Sequence, residues 1–151
     1  MVTPIQKALI RKMDDSDPSV RSTAVNAIVE AFKQDWEGAP PELWEVIDRG
    51  LRDQSTEVRM KTGMCLTMAD PPNRRRGQRD ADGFNLPESI VVGLMANGKD
   101  SDSSVRQWNA WALGNWNVRE ATELLLELMD DPDADVREVA VRVVGEFAAE
   151  E

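Results

Sequence analysis

The sequence predicts an all-α solenoid in which pairs of helices stack side by side. A motif of Asp, four further residues and Val-Arg occurs four times along the 151 residues. Each copy is followed by apolar residues at helical spacing, which indicates an amphipathic helix. Prolines such as Pro4 and Pro41 lie at breaks in the apolar pattern, where new helices are expected to begin. Together these observations predict four repeats of two helices each.

The second helix of each repeat follows the Val of the motif. The four copies begin at Asp15, Asp53, Asp100 and Asp131, and their valines are Val20, Val58, Val105 and Val136. Residues four, eight and eleven positions after each Val share one helical face, because a helical turn takes about 3.6 residues. This predicted core stripe comprises Ala24, Ile28, Ala31, Thr62, Leu66, Ala69, Asn109, Leu113, Trp116, Ala140, Val144 and Phe147. Asn109 is its least suitable member.

The Asp of each motif is expected near the start of the second helix. There a carboxylate accepts backbone N–H groups that lack a helical partner, and it meets the positive end of the helix dipole. Pairs such as Asp14 with Asp15 are therefore interpreted as caps and not as a catalytic acid and base.

At this motif the sequence resembles the HEAT repeat family, in particular the short bacterial and archaeal HEAT-like repeats, whose second helix follows an Asp-x-x-x-x-Val-Arg signature. The resemblance implies a right-handed superhelix of antiparallel helix pairs, with the second helices along the inner, concave surface. It also implies a ladder of Asp and Arg side chains between neighbouring repeats. The implied ladder residues are Asp15, Arg21, Asp53, Arg59, Asp100, Arg106, Asp131 and Arg137.

We expect a single domain with four repeats and one insertion, because stacked repeats reach this length without a domain boundary. The repeats are predicted at residues 3–37, 38–70, 86–116 and 117–150, with an insertion loop at residues 71–85. The first and fourth repeats are expected to turn a polar side to water.

Local signals refine these boundaries. Thr3 is the predicted N-cap of the first helix, directly ahead of Pro4. Asn117 marks a tight joint between repeats three and four. Gly114 and Gly145 occupy the same position in those repeats and are interpreted as sites of close helix approach, with simple tolerance of glycine as the alternative.

Composition narrows the classes of function. The chain has 28 acidic and 18 basic residues, and its net charge of −10 opposes general attraction to nucleic acid or an anionic membrane. No apolar run approaches the length of a membrane span, and the first residues lack the pattern of a signal peptide. We therefore expect a cytoplasmic protein. The single cysteine, Cys65, falls on the predicted core side and is interpreted as a small core residue.

The residue inventory indicates a protein that is not an enzyme. The chain contains no His and no Tyr, which excludes histidine general bases and imidazole metal sites. Its glycines fit no phosphate-binding loop. We expect neither a metal nor another cofactor.

A partner-binding surface is predicted on the middle repeats. Positions two, six and ten after each Val lie off the core stripe, and in the family arrangement they face the groove. They are polar in repeats one and four, but repeat two has three methionines there and repeat three has a tryptophan. The predicted contact residues are Met60, Met64, Met68, Trp108, Trp111 and Asn115. Methionine adapts to irregular partners, and tryptophan is enriched in binding hot spots. The alternative is packing of these side chains between repeats or, with Phe84, under the insertion loop.

A second contact is predicted in the insertion loop. Its four arginines form a dense positive cluster in an acidic chain, and guanidinium groups bind phosphate or carboxylate through paired hydrogen bonds. These residues are Arg74, Arg75, Arg76 and Arg79. The alternative is a loop that pairs loosely with nearby aspartates.

The sequence therefore predicts a scaffold or adaptor that binds a peptide or helix of a partner protein in its concave groove. The alternative is a nucleic-acid-binding protein similar to HEAT-like DNA glycosylases, which would use the Arg-rich loop. The acidic residues of the groove argue against it. A resemblance to chromophore lyases that contain such repeats is a third hypothesis, weakened by the missing His and Tyr. Self-association of the open ends of the stack is a further hypothesis.

Overall fold

The chain folds into eight α-helices and two short 3-10 helices within residues 1–71 and 85–151, the part that the computed structural model describes. The α-helices are α1 (Pro4–Arg11), α2 (Pro18–Phe32), α3 (Pro41–Leu51), α4 (Thr56–Met68), α5 (Glu88–Asn97), α6 (Ser103–Asn115), α7 (Thr122–Leu128) and α8 (Ala134–Ala149). The 3-10 helices are Lys12–Asp14 and Arg119–Ala121. No strand occurs in these residues, which confirms the all-α prediction for them.

Consecutive helices form pairs, and the second helices of the pairs lie side by side. Helix α4 packs against α2 on one side and α6 on the other, and α8 packs against α6. Each of the first helices packs against the second helix of its own pair. One continuous apolar core runs through the stack, which is therefore an α-solenoid.

The first helix starts where the sequence predicts. The Thr3 hydroxyl accepts the backbone N–H of Gln6 at 3.2 Å, and the Gln6 side-chain oxygen accepts the backbone N–H of Thr3 at 2.9 Å. This capping box satisfies two N–H groups that the helix leaves unpaired. Pro4, the first helical residue, loses no hydrogen bond at that position.

The joint between α6 and the next 3-10 helix is tight, as expected. The backbone of Asn117 has a φ of 53°, a left-handed conformation that asparagine tolerates better than most residues. This conformation lets the Val118 N–H donate to the Leu113 carbonyl at 2.9 Å, which closes the end of α6.

The motif Asp lies near the helix start and accepts a backbone N–H, as expected, but it closes the preceding turn and its interpretation as the helix cap was wrong. In every copy the helix begins three residues after the motif Asp, too far along for this carboxylate to cap it. Each motif carboxylate instead accepts the N–H two residues further on, at 2.8 to 2.9 Å. The N-cap residues are Asp17, Ser55, Asp102 and Asp133.

A ladder of Asp and Arg side chains joins the turns of neighbouring repeats. Its rungs are Arg21 with Asp53, Arg59 with Asp100, and Arg106 with Asp131. In each rung Nε donates to Oδ2 at 2.9 Å and Nη2 donates to Oδ1 at 3.0 to 3.5 Å. The remaining nitrogen, Nη1, donates to the carbonyl of the motif Asp in its own repeat at 2.8 to 2.9 Å. Each of these arginines therefore ties the turn of its own repeat to the turn of the next.

The ladder carboxylates are nearly buried and yet favour the ionised form. Burial by itself would raise the pKa of Asp53, but hydrogen bonds from Arg21 and the Ser55 N–H, with the charge of Arg21, lower it below its ordinary value. Burial likewise acts to raise the pKa of Asp131, and the hydrogen bond and charge of Arg106 outweigh that effect and lower it. These rungs are therefore charged pairs at neutral pH.

Asn109, the polar member of the predicted core stripe, is fully buried and hydrogen-bonded. Its amide donates to the Val105 carbonyl at 2.8 Å, and its oxygen accepts from Asn97 at 3.2 Å. Asn97 also donates to the Leu51 carbonyl at 3.0 Å. A buried amide is tolerated when its polar atoms are paired. The two asparagines consequently link α5 and α6 to the end of α3.

Close helix approach occurs at Gly114 and Gly63, but not at Gly145. A Cβ on Gly114 would lie 2.5 Å from Val143 Cγ2. A Cβ on Gly63 would lie 2.7 Å from the side-chain nitrogen of Asn109 and 3.2 Å from its backbone nitrogen. A Cβ on Gly145 would meet no described atom within 4 Å, because no described helix covers that side of α8. The expectation of close approach at Gly145 was therefore wrong.

The outward surfaces of the first and fourth helix pairs are less polar than expected. Ile5 on α1 is 76% exposed and Val141 on α8 is 52% exposed, and Leu126 on α7 is also exposed. Apolar side chains therefore remain uncovered on both outward surfaces.

We predict that acid weakens the fold through the ladder. The pKa values of Asp53 and Asp131 are lower in the folded state than in the unfolded state, where they are about 3.9. The stabilisation that these carboxylates provide is therefore fully present above the unfolded-state pKa. It is lost as the pH falls through the folded-state pKa values. Urea unfolding should therefore give a smaller free energy of unfolding below about pH 4 than at neutral pH.

The Asp53→Asn variant separates this effect from general acid destabilisation. At neutral pH it should be less stable than the wild type by about 2–3 kcal/mol, and it should lose less on acidification. The matched control is Asp48→Asn, whose exposed pairing with Arg52 is worth less than about 0.5 kcal/mol. Equal acid sensitivity of the wild type and Asp53→Asn would contradict the prediction.

We predict opposite effects for two Gly→Ala substitutions. Gly63→Ala should lower the free energy of unfolding by about 1–3 kcal/mol, because its Cβ would press on the backbone of α6. Gly145→Ala should raise it by about 0.5–1 kcal/mol, because alanine favours the helix and open space surrounds that position. Urea unfolding of both variants tests this, and equal stabilities would show that α4 and α6 are not in close contact.

Candidate functional site

The predicted partner-binding methionines and tryptophans lie on the neighbouring helices α4 and α6. Met68 is 77% exposed, and Met60 and Met64 are half-buried along the same side of α4. Trp108 and Trp111 are half-buried on α6. We call these five residues the methionine–tryptophan patch. Their side chains keep solvent-accessible surface, unlike those of the fully buried core.

Hydrogen bonds fix α4 against α6 beside this patch. The Thr67 hydroxyl lies 3.1 Å from the Trp108 carbonyl and 2.9 Å from the Gly63 carbonyl of its own helix, and its single proton is donated to one or the other. The Asn115 amide donates to the carbonyls of Leu66 and Ala69 at 2.9 and 3.0 Å. Asn115, a predicted contact residue, therefore uses its amide N–H groups to stabilise the end of α4.

The two tryptophans stack on each other beside a charged residue of the next repeat. The ring centroids of Trp108 and Trp111 are 5.5 Å apart, and their planes differ by 10°. The Arg142 guanidinium of α8 lies over Trp111, 5.4 Å from the ring centroid, and donates to Glu138 at 3.4 Å. The stacked rings and the cation form an apolar surface with a charged border.

An open cleft of about 550 Å³ adjoins the patch at Met68. The ends of α2 and α4 and the segment that follows α2 form its walls. Its charged lining residues are mostly acidic, which favours a cationic group near the cleft. They are Glu30, Lys33, Asp35, Glu37 and Asp70.

Trp36 lines this cleft and was not among the site residues predicted from sequence. It is buried and packs against Trp44 and Trp116, with ring centroids 5.8 and 5.1 Å apart. No described residue accepts a hydrogen bond from its indole N–H. The sequence feature that could have indicated Trp36 is its place as a large aromatic residue in a polar linker, just before Gly38.

Cys65 lies in the cleft wall as a buried thiol, in agreement with its interpretation as a core residue. Its Sγ donates to the side-chain oxygen of Asn26 at 3.4 Å. Burial, together with the negative charge of Glu30, raises the pKa of the Cys65 thiol to about 11. The thiol is therefore protonated at neutral pH, which makes it a poor nucleophile and metal ligand.

Part of the predicted site lies outside the described residues. This part is the arginine cluster of Arg74, Arg75, Arg76 and Arg79, together with Phe84. Within residues 1–71 and 85–151, no three or more Cys, Asp or Glu side chains are grouped so that they could hold a metal ion. No helix in the same residues is both long and apolar enough to cross a membrane.

Two family models match the chain at the repeats. A model for HEAT repeats matches residues 92–151. A model for the HEAT repeat associated with sister chromatid cohesion matches residues 2–28. The chain belongs to the HEAT repeat family. HEAT repeats generally mediate protein–protein interaction, and the matched segments lie in the first repeat and in the last two.

A similar solved structure supports the same fold. The crystal structure of an engineered protein is 18% identical, with a TM-score of 0.63, over 93% of this chain. The chain spans 61% of the length of that protein, and at this identity the likeness shows the fold alone. No curated protein matches the chain.

We predict slow alkylation of Cys65 in the folded HEAT repeat protein. With a thiol pKa of about 11, the thiolate fraction at about pH 8 is at least a hundredfold smaller than for an ordinary cysteine. Labelling with iodoacetamide, followed by mass spectrometry, should therefore be at least about a hundredfold slower in the folded chain than in the same chain unfolded in urea. Comparable rates would show that the thiol is accessible and ionises normally.

Proposed function

We propose that this HEAT repeat protein is a non-enzymatic adaptor that binds a segment of a partner protein on the methionine–tryptophan patch. The observation that supports this site is the exposure of Met68 in one row with Met60 and Met64. The row points away from Val58 and Leu66, which are fully buried on the core side of the same helix. An exposed apolar row beside a closed core is typical of a binding surface.

The chemistry of the surface favours a basic amphipathic segment as the partner. Flexible thioethers and flat indole rings adapt to apolar side chains of many shapes. Acidic residues of the adjoining cleft, among them Asp35, Glu37 and Asp70, favour lysine or arginine next to the apolar residues. A helix with apolar residues on one side and basic residues on its border combines both features.

The acidic residues of the cleft also argue against the alternative function, nucleic-acid binding. A protein that follows a phosphate backbone needs several cations along its groove. Around this patch, Arg142 is paired with Glu138, and the cleft beyond Met68 has four acidic residues and one lysine. A cytoplasmic location, a single domain of four repeats and a second contact at the arginine cluster belong to the same proposal.

We predict that a polar substitution in the patch removes binding without unfolding the protein. Peptides selected from a displayed library for binding to this chain should perturb the methyl NMR signals of Met60, Met64 and Met68. Met64→Gln should weaken these peptides at least about tenfold, because it removes an apolar contact at nearly constant side-chain volume. Its melting temperature should change by less than about 3 °C.

The matched control is Val92→Gln, which changes an exposed apolar residue on α5. It should leave both peptide affinity and melting temperature unchanged. The proposal is wrong if Met64→Gln binds the selected peptides as tightly as the wild type. It is also wrong if Met64→Gln lowers the melting temperature strongly, because Met64 would then be a packing residue.

A further inference from the structure

The ladder has one unused partner on each outward surface of the stack. Arg137 occupies the ladder position of α8, and its Nη1 donates to the carbonyls of Asp131 and Pro132 at 2.8 and 3.1 Å. No carboxylate of the described residues pairs with its other nitrogens. At the opposite surface, the Asp15 carboxylate accepts the Asp17 N–H at 2.9 Å, as its counterparts do, but no arginine side chain of the described residues donates to it.

The valine of the motif is exposed in the first copy alone. Val20 on α2 is 36% exposed, whereas Val58, Val105 and Val136 are fully buried. Ile5 on α1 shows the same contrast. It lies ten positions before Asp15, and the residues at the equivalent position before the other three motif aspartates are fully buried. Those residues are Leu43, Ile90 and Ala121. The first copy differs from the others in having no described helix pair before it.

The fourth copy shows the converse pattern. Five residues after the motif valine, Val25, Gly63 and Ala110 are buried, whereas Val141 is 52% exposed. This position is covered by the following repeat in the first two copies. A Cβ on Gly50 of α3 would lie 3.2 Å from Val25 Cγ2, and Gly63 faces Asn109 of α6. Val141 therefore occupies a junction position without a following repeat among the described residues.

We propose that copies of this chain join head to tail, with the outward surface of α7 and α8 on one copy packed against the outward surface of α1 and α2 on the next. Arg137 of one copy donates to Asp15 of its neighbour as one more rung of the ladder. Val141 and Leu126 cover Val20 and Ile5, so the contact repeats the junction already present three times within the chain. Such a heterologous contact adds copies in one direction.

Opposite charges favour this orientation over head-to-head pairing. Arg137 lies on one outward surface of the stack and Asp15 on the other. Head-to-tail contact brings these opposite charges together. Two α8 surfaces would offer each other only Arg137 at the ladder position, and two α2 surfaces only Asp15. The net charge of −10 on each copy opposes association at low salt, but beyond about 8 Å this repulsion is screened at about 0.15 M salt.

Sedimentation velocity at about 0.15 M salt, over about 10 μM to 1 mM protein, tests the proposal with a charge exchange. The wild type should show a mass that rises with concentration. Arg137→Glu places like charges at the contact, and so does Asp15→Arg, so each variant alone should weaken association at least about tenfold. An equal mixture should associate again, because Glu at position 137 of one variant then meets Arg at position 15 of the other.

The control is Arg142→Glu, which reverses a charge on the patch side of α8 and should associate like the wild type. Met64→Gln should also associate normally, which separates this inference from the proposed partner site. If Asp15→Arg fails to fold by circular dichroism, Val141→Glu replaces it, and this variant alone should weaken association at least about tenfold. A wild type that stays monomeric, a mixture of folded variants that stays monomeric, or equal effects of Arg142→Glu and Arg137→Glu would overturn the proposal.

Discussion

Each repeat of this protein is held in register with the next by an arginine that binds two turns at once. The guanidinium group takes the carbonyl of its own turn with one nitrogen and the carboxylate of the next turn with two others. Because the arginine always follows the first valine of the second helix, equivalent positions of neighbouring helices face the same surface. Trp111 and Arg142 illustrate this, since both lie six residues after their valine and contact each other. The methionine–tryptophan patch depends on this register.

The ladder and the core have different physical roles. Burial of apolar side chains provides most of the stability of a stacked repeat, but it is non-directional and would tolerate a shifted register. A bidentate pair between guanidinium and carboxylate has a defined direction and distance. Buried asparagines add a second directional link, since Asn97 and Asn109 hydrogen-bond each other across α5 and α6. These polar contacts select one arrangement among those that the core permits.

Much of the fold could be predicted from the sequence because its information is local and repeated. The capping box at Thr3, the joint at Asn117 and most of the buried face after each motif follow from a few neighbouring residues. The predicted core stripe was wrong at Ala31, which is exposed near the end of α2, and Val144 is only half-buried. The positions of the helix caps were predicted less accurately, because the turn places the motif Asp three residues before the helix. Gly145 was misjudged because the space around a helix depends on the presence of a neighbour, which its own sequence does not encode.

The candidate site could be predicted from the sequence less completely than the fold. Helical spacing predicted that Met60, Met64 and Met68 form one row, but the exposed surface of each depends on tertiary packing. The cleft near Trp36 depends on the path of the linker after α2, which has no periodic pattern. The use of the Asn115 amide at the end of α4 depends on the contact between two helices that are far apart in sequence.

The most direct test of the ladder as the source of register is a double-mutant cycle on Arg21 and Asp53. Urea unfolding of the wild type, Arg21→Gln, Asp53→Asn and the double variant gives their coupling free energy. We expect a coupling of about 1.5–3 kcal/mol, since the pair is charged, bidentate and nearly buried. A coupling of zero within error would show that the two side chains are neighbours without holding the repeats together.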